Sequence, residues 1–253
     1  MKTLQESIAI SMDMQDTAIV PFLPYILQDF WEIGTSADKV VKLVERNCTT
    51  PHVKKMLDLG CGKGAVSVKL AAALHSNCLG IDGIPEFIAI AKEKAREYGV
   101  ESLCTFETGD IREKIKELGE FDIIVLGAIG QVFGNYYETL TALSKHLAPN
   151  GIIIIDDAYI DDSSTFQHSA ILSHRKILEQ IEQAGMMLID KCIVKETAYA
   201  EEFENLQRRC NELIAQYPEH RVLFENYIQT EAKEYSALEN DVVCLIMVVR
   251  GSK

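Results

Sequence analysis

The chain has 253 residues, of which 47% are apolar and 25% charged. That is the balance of an ordinary globular protein with one embellished α/β domain or, at most, two small domains. A formal net charge of −13 leaves no basic surplus to neutralise phosphates. It argues against nucleic acid as the main partner and suits a neutral or cationic small substrate.

The seven cysteines are scattered, odd in number and without a C-x-x-C pair. Metal is therefore not expected, and the reducing cytoplasm is the expected compartment. Met1 to Asp16 carries no apolar stretch of signal-peptide type. The longest apolar run, Val242 to Val249, is too short to cross a bilayer, so no membrane partner is expected.

In chain order, residues 1–50 read as an N-terminal helical cap. The apolar run from Ile19 to Trp31 is broken by Pro21 and Pro24. Gly34-Thr35-Ser36 reads as a turn, with Ser36 placed to cap a helix over 37–47. Strands and helices then alternate. Strands are predicted over 54–59, 77–82, 103–107, 121–127, 151–156, 187–194 and 242–250. Helices are predicted over 64–75, 85–98, 111–118, 135–147 and 166–184.

Ile123-Ile124-Val125-Leu126 and Ile152-Ile153-Ile154-Ile155 are apolar throughout, which suits parallel strands covered on both faces. Such alternation implies right-handed crossovers and a doubly wound α/β sheet. The stretch 197–240 breaks the rhythm. Phe203, Leu206, Cys210, Leu213, Ile214 and Tyr217 recur at helical spacing, Pro218 interrupts, and a second helical pattern follows. This is a helical insertion before the last strand, within a main domain of residues 51–253. It is either a packing layer or a substrate lid.

The most informative segment is Met56-Leu57-Asp58-Leu59-Gly60-Cys61-Gly62-Lys63-Gly64-Ala65: a short apolar strand, a glycine turn and the start of a helix. Asp82 ends the next strand. That order suggests a site for a nucleoside-containing cofactor, because glycines let backbone approach a ligand and a carboxylate can accept from ribose hydroxyls. A dinucleotide fingerprint is G-x-G-x-x-G; here the third glycine falls one residue early, and Asp58 precedes the turn.

D-x-G-x-G on a first strand resembles the signature of class I S-adenosylmethionine-dependent methyltransferases, and further segments agree. Gly80-Ile81-Asp82-Gly83-Ile84 resembles the family's second motif and Thr105-Phe106-Glu107-Thr108-Gly109-Asp110-Ile111 its third. The strand 121–127 with its following loop resembles the fourth. Leu147-Ala148-Pro149-Asn150-Gly151 resembles the turn before its fifth strand.

The resemblance covers roughly 50–195 and 242–250. It implies a Rossmann-like doubly wound sheet of seven strands in the order 3-2-1-4-5-7-6, the last antiparallel. It also implies S-adenosyl-L-methionine as cofactor and S-adenosyl-L-homocysteine as product. By resemblance, Gly60, Cys61 and Gly62 bring the turn to the methionine portion, and Asp58 orients that loop or meets the amino group. Asp82 takes both ribose hydroxyls, Gly83 and Ile84 lie at the adenine, and Asp110 and Ile111 serve its edge. Backbone near Gly127 meets the amino group. Lys63, where a small hydroxyl residue is common, reads as an exposed, uninvolved lysine.

No N-P-P-Y or D-P-P-Y tetrapeptide and no glutamate pair follows the fourth strand, which separates the chain from nucleic-acid amine and protein arginine methyltransferases. The N-terminal helices and the insertion look like those of small-molecule enzymes related to the quinone-methylating group. The expected reaction is in-line methyl transfer to a small-molecule acceptor at oxygen, nitrogen or carbon.

Candidates for catalysis lie just past the fifth strand: Asp156, Asp157 and Tyr159. Successive residues alternate faces, so one aspartate is expected to face the pocket. A solvated turn of aspartates is the competing reading. Tyr25, Trp31 and Gln131 are candidates for substrate binding, with core packing the alternative for the two aromatics. Two other classes stay open: a non-catalytic cofactor-binding or regulatory module on the same fold, and a nicotinamide-dependent oxidoreductase, against which the glycine spacing argues. The sequence leaves the acceptor and the oligomeric state undetermined.

Overall fold

The structure is a computed structural model that describes residues 2–48, 54–195 and 199–252. The expected boundary at residues 50 and 51 and the first two residues of the 197–240 insertion lie outside the described residues.

Seven strands form one sheet in the order β3-β2-β1-β4-β5-β7-β6, as expected. They are β1 (Lys55–Leu59), β2 (Asn77–Asp82), β3 (Cys104–Thr108), β4 (Phe121–Gly127), β5 (Leu147–Tyr159), β6 (Met186–Ile193) and β7 (Val243–Gly251). Strands β1 to β5 pair in parallel, whereas β7 runs antiparallel to both β5 and β6.

The pleat sorts side chains onto two cores. Met56, Ile123, Val125, Ile152, Ile154, Ile246 and Val248 face one layer. It is covered by α3 (Ala37–Asn47), α4 (Ala65–Leu74) and α5 (Pro85–Glu97). Leu57, Leu59, Ile124, Leu126, Ile153, Ile155, Leu245, Met247 and Val249 face the other. That face is covered by α6 (Ile111–Lys114), α7 (Tyr136–Leu143) and α8 (His174–Gln183). The unbroken apolar runs of β4 and β5 thus fill both layers.

The helices expected over 111–118 and 135–147 are shorter, ending at Lys114 and Leu143 and running on as 3-10 turns to Glu117 and His146. Two further elements differ from expectation. The helix expected over 166–184 begins only at His174. Before it, Asp161 accepts from the Ser163 amide, and His168 Nδ1 lies in reach of the Ala170 and Ile171 amides. These short polar side chains offer the backbone partners that compete with a helix. Strand β5 is longer than 151–156 because Leu147 already pairs with Phe121, and its far end pairs antiparallel with β7 out to Tyr159–Val243. Asn150 takes φ +63° within it, a left-handed conformation that asparagine tolerates.

Residues 2–48 divide. Helix α3 joins the main core, whereas α1 (Leu4–Ser11), the turn of 3-10 helix over Thr17–Phe22 and α2 (Leu23–Ile26) belong elsewhere. They share a third apolar cluster with α9 (Tyr199–Gln216) and α10 (Arg221–Asn240), the two helices of the insertion. Ile19, Leu23, Ile26, Leu213, Phe224 and Tyr227 are its buried centre, and Ile84 and Phe87 join it to the sheet domain. Polar contacts fasten the same seam. Arg209 grips Asp29 through Nε and Nη2, both at 2.7 Å, and the Tyr25 hydroxyl donates to Glu212 at 2.7 Å.

Candidate active site

The carboxyl ends of β1, β2 and β4 open into one cavity of about 920 Å³, its open mouth included. This is where ligands sit in open α/β sheets. Between β1 and α4 the chain turns through Gly60 (φ +73°) and Gly64 (φ +76°). At Gly64 a Cβ would come within 2.7 Å of the Ala91 Cβ, so neither the conformation nor the space admits a side chain. The Gly60 and Cys61 amides both donate to the Ile81 carbonyl, at 2.8 and 3.0 Å.

Three carboxylates reach the cavity wall. Asp58 is 2% exposed and accepts from the Ser67 hydroxyl of α4 at 2.6 Å. Burial pushes it up to about 6, with the Ser67 hydrogen bond opposing and nearby Asp82 adding. Asp82 accepts from the Gly62 amide at 2.9 Å and the Ile84 amide at 2.8 Å, which locks the glycine turn to the end of β2. Burial raises its pKa against the pull of those amides. Asp110 accepts from the Arg112 amide and side chain, and the guanidinium holds its carboxyl below the usual range.

All ten residues expected at a cofactor line this one cavity: Asp58, Gly60, Cys61, Gly62, Asp82, Gly83, Ile84, Asp110, Ile111 and Gly127. Of the substrate candidates, Trp31 lines it too. Tyr25 does not: its ring lies against Arg209 on the cap seam and its hydroxyl is taken by Glu212. Gln131 donates to the Ala170 carbonyl and lines a smaller neighbouring pocket of about 360 Å³.

That second pocket also receives Asp156 and Asp157 and shares only Ile129 with the main cavity. Asp157 accepts from the buried Tyr136 hydroxyl at 2.6 Å and from the Ala158 amide at 2.7 Å. Burial raises both its pKa and that of Tyr136. Tyr159 lines neither pocket; its ring packs on His174 at 4.6 Å between centroids. The structure therefore sets the three catalytic candidates apart from the cofactor-side residues.

Lys63 corrects the expectation of an exposed, uninvolved side chain. It is 2% exposed, and its Nζ donates to the Leu27 and Phe30 carbonyls, both at 2.5 Å. Burial depresses it to about 8. The Trp31 indole donates to the Lys63 carbonyl at 3.0 Å. Lys63 thus pins the end of the cap segment beside the glycine turn.

Of the cap, sequence reasoning reached Trp31 but missed the segment before it. Leu4, Ser7, Ile8, Ser11 and Met12 of the N-terminal segment wall the cavity, as do Ile33, Thr35, Phe87 and Val132. Nothing local to those residues signals this role.

The donor set can be tested against a cofactor. A nucleoside bearing an ammonium and a sulfonium needs hydrogen-bond acceptors and anionic charge at several points. Asp58, Asp82 and Asp110, on three successive motifs, supply them. The Thr35 hydroxyl is buried beside Gly127 with no hydrogen-bond partner among the described residues. The next residue, Ala128, holds φ +52°, strain of a kind that collects at functional sites. The residues fit the group.

Sheet order, glycine turn and carboxylate set together define a class I S-adenosylmethionine-dependent methyltransferase fold, and S-adenosylmethionine is the cofactor of that class. The chain belongs to the Methyltransferase domain family, whose match spans residues 52–240.

Among curated relatives, a ribosomal protein L11 methyltransferase of Rhodopseudomonas palustris (strain BisB5) is 32% identical over 105 residues, 40% of this chain and 34% of that protein. A probable cobalt-precorrin-6B C(15)-methyltransferase (decarboxylating) of Methanothermobacter thermautotrophicus is 31% identical over 99 residues, 39% of this chain and 50% of that one. The chain thus spans a third to a half of the length of these relatives. In fold, it is similar to a SAM-dependent methyltransferase of Geobacter sulfurreducens in complex with S-adenosyl-L-homocysteine. There the TM-score is 0.76 and the identity 18%, over 91% of this chain and 98% of that one. The [4+2]-cyclase SpnF is also similar, with a TM-score of 0.69 and 17% identity over 98% of this chain and 96% of that one.

Proposed function

We propose that the chain transfers the methyl group of S-adenosylmethionine to a small-molecule acceptor. The observation that carries this reading is the convergence of Asp58, Asp82 and Asp110 with the Gly60–Gly64 turn on one cavity. The bound sulfonium supplies an already activated methyl group.

What the chain's residues then do is bind and align. Asp82 holds the ribose hydroxyls, Asp110 the adenine edge, and Asp58 with the backbone near Gly127 the amino-acid end. Alignment of this kind is worth up to ~7–11 kcal/mol of barrier in favourable cases.

The small acceptor is supported by the cap. Trp31, Ile33, Met12, Ile129 and Val132 make an apolar wall, and the N-terminal segment and insertion share a core beside it. The only side chains with carboxyl, amine or thiol groups lining the cavity are Asp58, Cys61, Lys63, Asp82 and Asp110, among the described residues. Four of them are committed to protein partners, and burial raises the Cys61 thiol far above its usual range. An acceptor whose lone pair is already free, such as a neutral amine, suits this wall better than one that needs a strong base.

The experiment is calorimetric titration with S-adenosylmethionine, S-adenosylhomocysteine and NAD(H), followed by transfer of labelled methyl into small-molecule and protein fractions. Micromolar binding of the first two with label in small molecules is expected. Binding of NAD(H) alone would sink the reading. Label in protein would move the acceptor toward that named for the L11 relatives. Binding without transfer to any acceptor would favour a second reading, in which the chain uses the cofactor fold without methylating. The similarity to a cyclase keeps that reading open.

A further inference from the structure

Helix α1 crosses the cavity above the end of β2. A Cβ on Gly83 would lie 2.7 Å from Ile8 Cδ1 and 3.1 Å from Leu4 Cδ1. The helix therefore packs directly over the backbone that follows Asp82. Its start is held by a side chain of α6. Arg112 Nη2 donates to the Lys2 carbonyl at 3.0 Å and the Thr3 carbonyl at 3.2 Å.

The same guanidinium grips Asp110, through Nε to Oδ1 at 2.9 Å and Nη2 to Oδ2 at 2.6 Å. Both side chains are about four-fifths buried, 18% and 20% exposed. The pair is therefore less screened than a surface ion pair. An isolated positive charge at a helix N-terminus is unfavourable. Here Glu6, in the first turn of α1, accepts from the Thr3 amide and supplies local negative charge.

We propose that Arg112 is a positioning residue: it latches α1 as the roof of the cofactor's nucleoside end, and through Asp110 it couples that roof to the ligand. The inference rests on the cofactor reading above. Asp110 Oδ2 accepts one hydrogen bond from Arg112, so a lone pair remains for an amino group in the cavity. A ligand that uses it adds to the set that holds the latch shut. By linkage, whatever the ligand adds to the closed roof, the closed roof adds to ligand affinity. With the latch cut, α1 samples open positions and the apparent affinity falls in proportion to the competent fraction.

The test uses R112Q and R112K in the full chain. Trp31, the single tryptophan, lines the cavity and reports ligand dissociation by stopped-flow fluorescence. S-adenosylhomocysteine is the probe, and amide exchange over residues 4–12 reads the roof. R112Q should release the probe about tenfold faster or more, since hydrogen bonds to a charged group are lost. Its α1 amides should exchange faster without ligand, and R112K should lie between. The 6-oxo (inosine) analogue of the probe, which lacks the exocyclic amine, should show a smaller difference between wild type and R112Q.

Unchanged α1 exchange in folded R112Q would overturn the latch. Faster exchange with unchanged release would overturn its role as the cofactor's roof. Equal losses for both probes would overturn the coupling through Asp110. No probe binding by the wild-type chain would instead overturn the cofactor reading, while ligand-free exchange would still decide whether Arg112 holds α1.

Discussion

Asp82→Asn is the sharpest perturbation of the site because Asp82 has two jobs. In the ligand-free protein its carboxylate accepts from the Gly62 and Ile84 amides at 2.9 and 2.8 Å. An asparagine keeps one acceptor oxygen and turns its amide nitrogen toward the other N–H. One buried donor is left unsatisfied, at about 1–3 kcal/mol. Part of that is offset because a neutral amide is easier to bury than the carboxylate whose pKa burial raises. At about 2–4 °C per kcal/mol for a chain of this size, melting should fall by at most about 12 °C.

Ligand affinity should fall by more than this local loosening explains. The proposed pairing with the ribose loses one charge-assisted hydrogen bond, about 1.5–3 kcal/mol, or roughly ten- to a hundredfold in Kd. Calorimetry with S-adenosylhomocysteine and with adenosine separates the parts: both ligands carry the ribose, so both should weaken by a similar factor. A folded D82N chain that binds S-adenosylhomocysteine with wild-type affinity would refute the ribose assignment.

Lys63→Met removes the donor shared by the Leu27 and Phe30 carbonyls. Exchange over residues 27–33 should rise and melting should fall; an unaltered melting curve would show that the cap segment is held elsewhere. The pKa of Asp58 in the folded chain, about 6, lies above its ordinary value. Its contribution to stability is therefore fully present below about pH 4 and is lost as pH rises through about 6. A cationic ligand end favours the ionised carboxylate, so S-adenosylhomocysteine affinity should weaken as pH falls below about 6. A flat titration between pH 5 and 8 would count against that contact. Tyr136→Phe leaves Asp157 with the Ala158 amide alone. Stability should drop by about 1–3 kcal/mol in urea unfolding, with cofactor affinity unchanged because neither residue lines the main cavity. A parallel loss of affinity would join the two pockets into one site.

The motif residues were legible because their geometry is local. A strand, a glycine turn and an acidic residue at the end of the next strand determine a cradle within about thirty residues of chain. Parallel pairing of β1 with β2 sets Leu59 against Ile81. Asp58, Gly60, Gly62 and Asp82 then come together by register. The apolar runs of β4 and β5 likewise determined a sheet covered on both faces.

The Asp156-Asp157 pair shows the limit. Alternation said that the two face opposite ways, but which helix receives Asp157 depends on where α7 places Tyr136, twenty-one positions earlier. Lys63 read as exposed because lysine in a turn usually is. Only the arrival of residues 27–30, more than thirty positions away, buries it and supplies two carbonyls.

By itself, then, the sequence determined the sheet, the glycine turn and the carboxylate positions, each written in spacings of a few residues. The tertiary structure alone decided that α1 and the Trp31 segment wall that cavity and that the α9–α10 insertion packs behind the N-terminal segment. Their contacts join positions some 190 residues apart, such as Tyr25 with Glu212. Apolar pattern says that a helix face must be buried, but it carries no record of which distant surface will bury it.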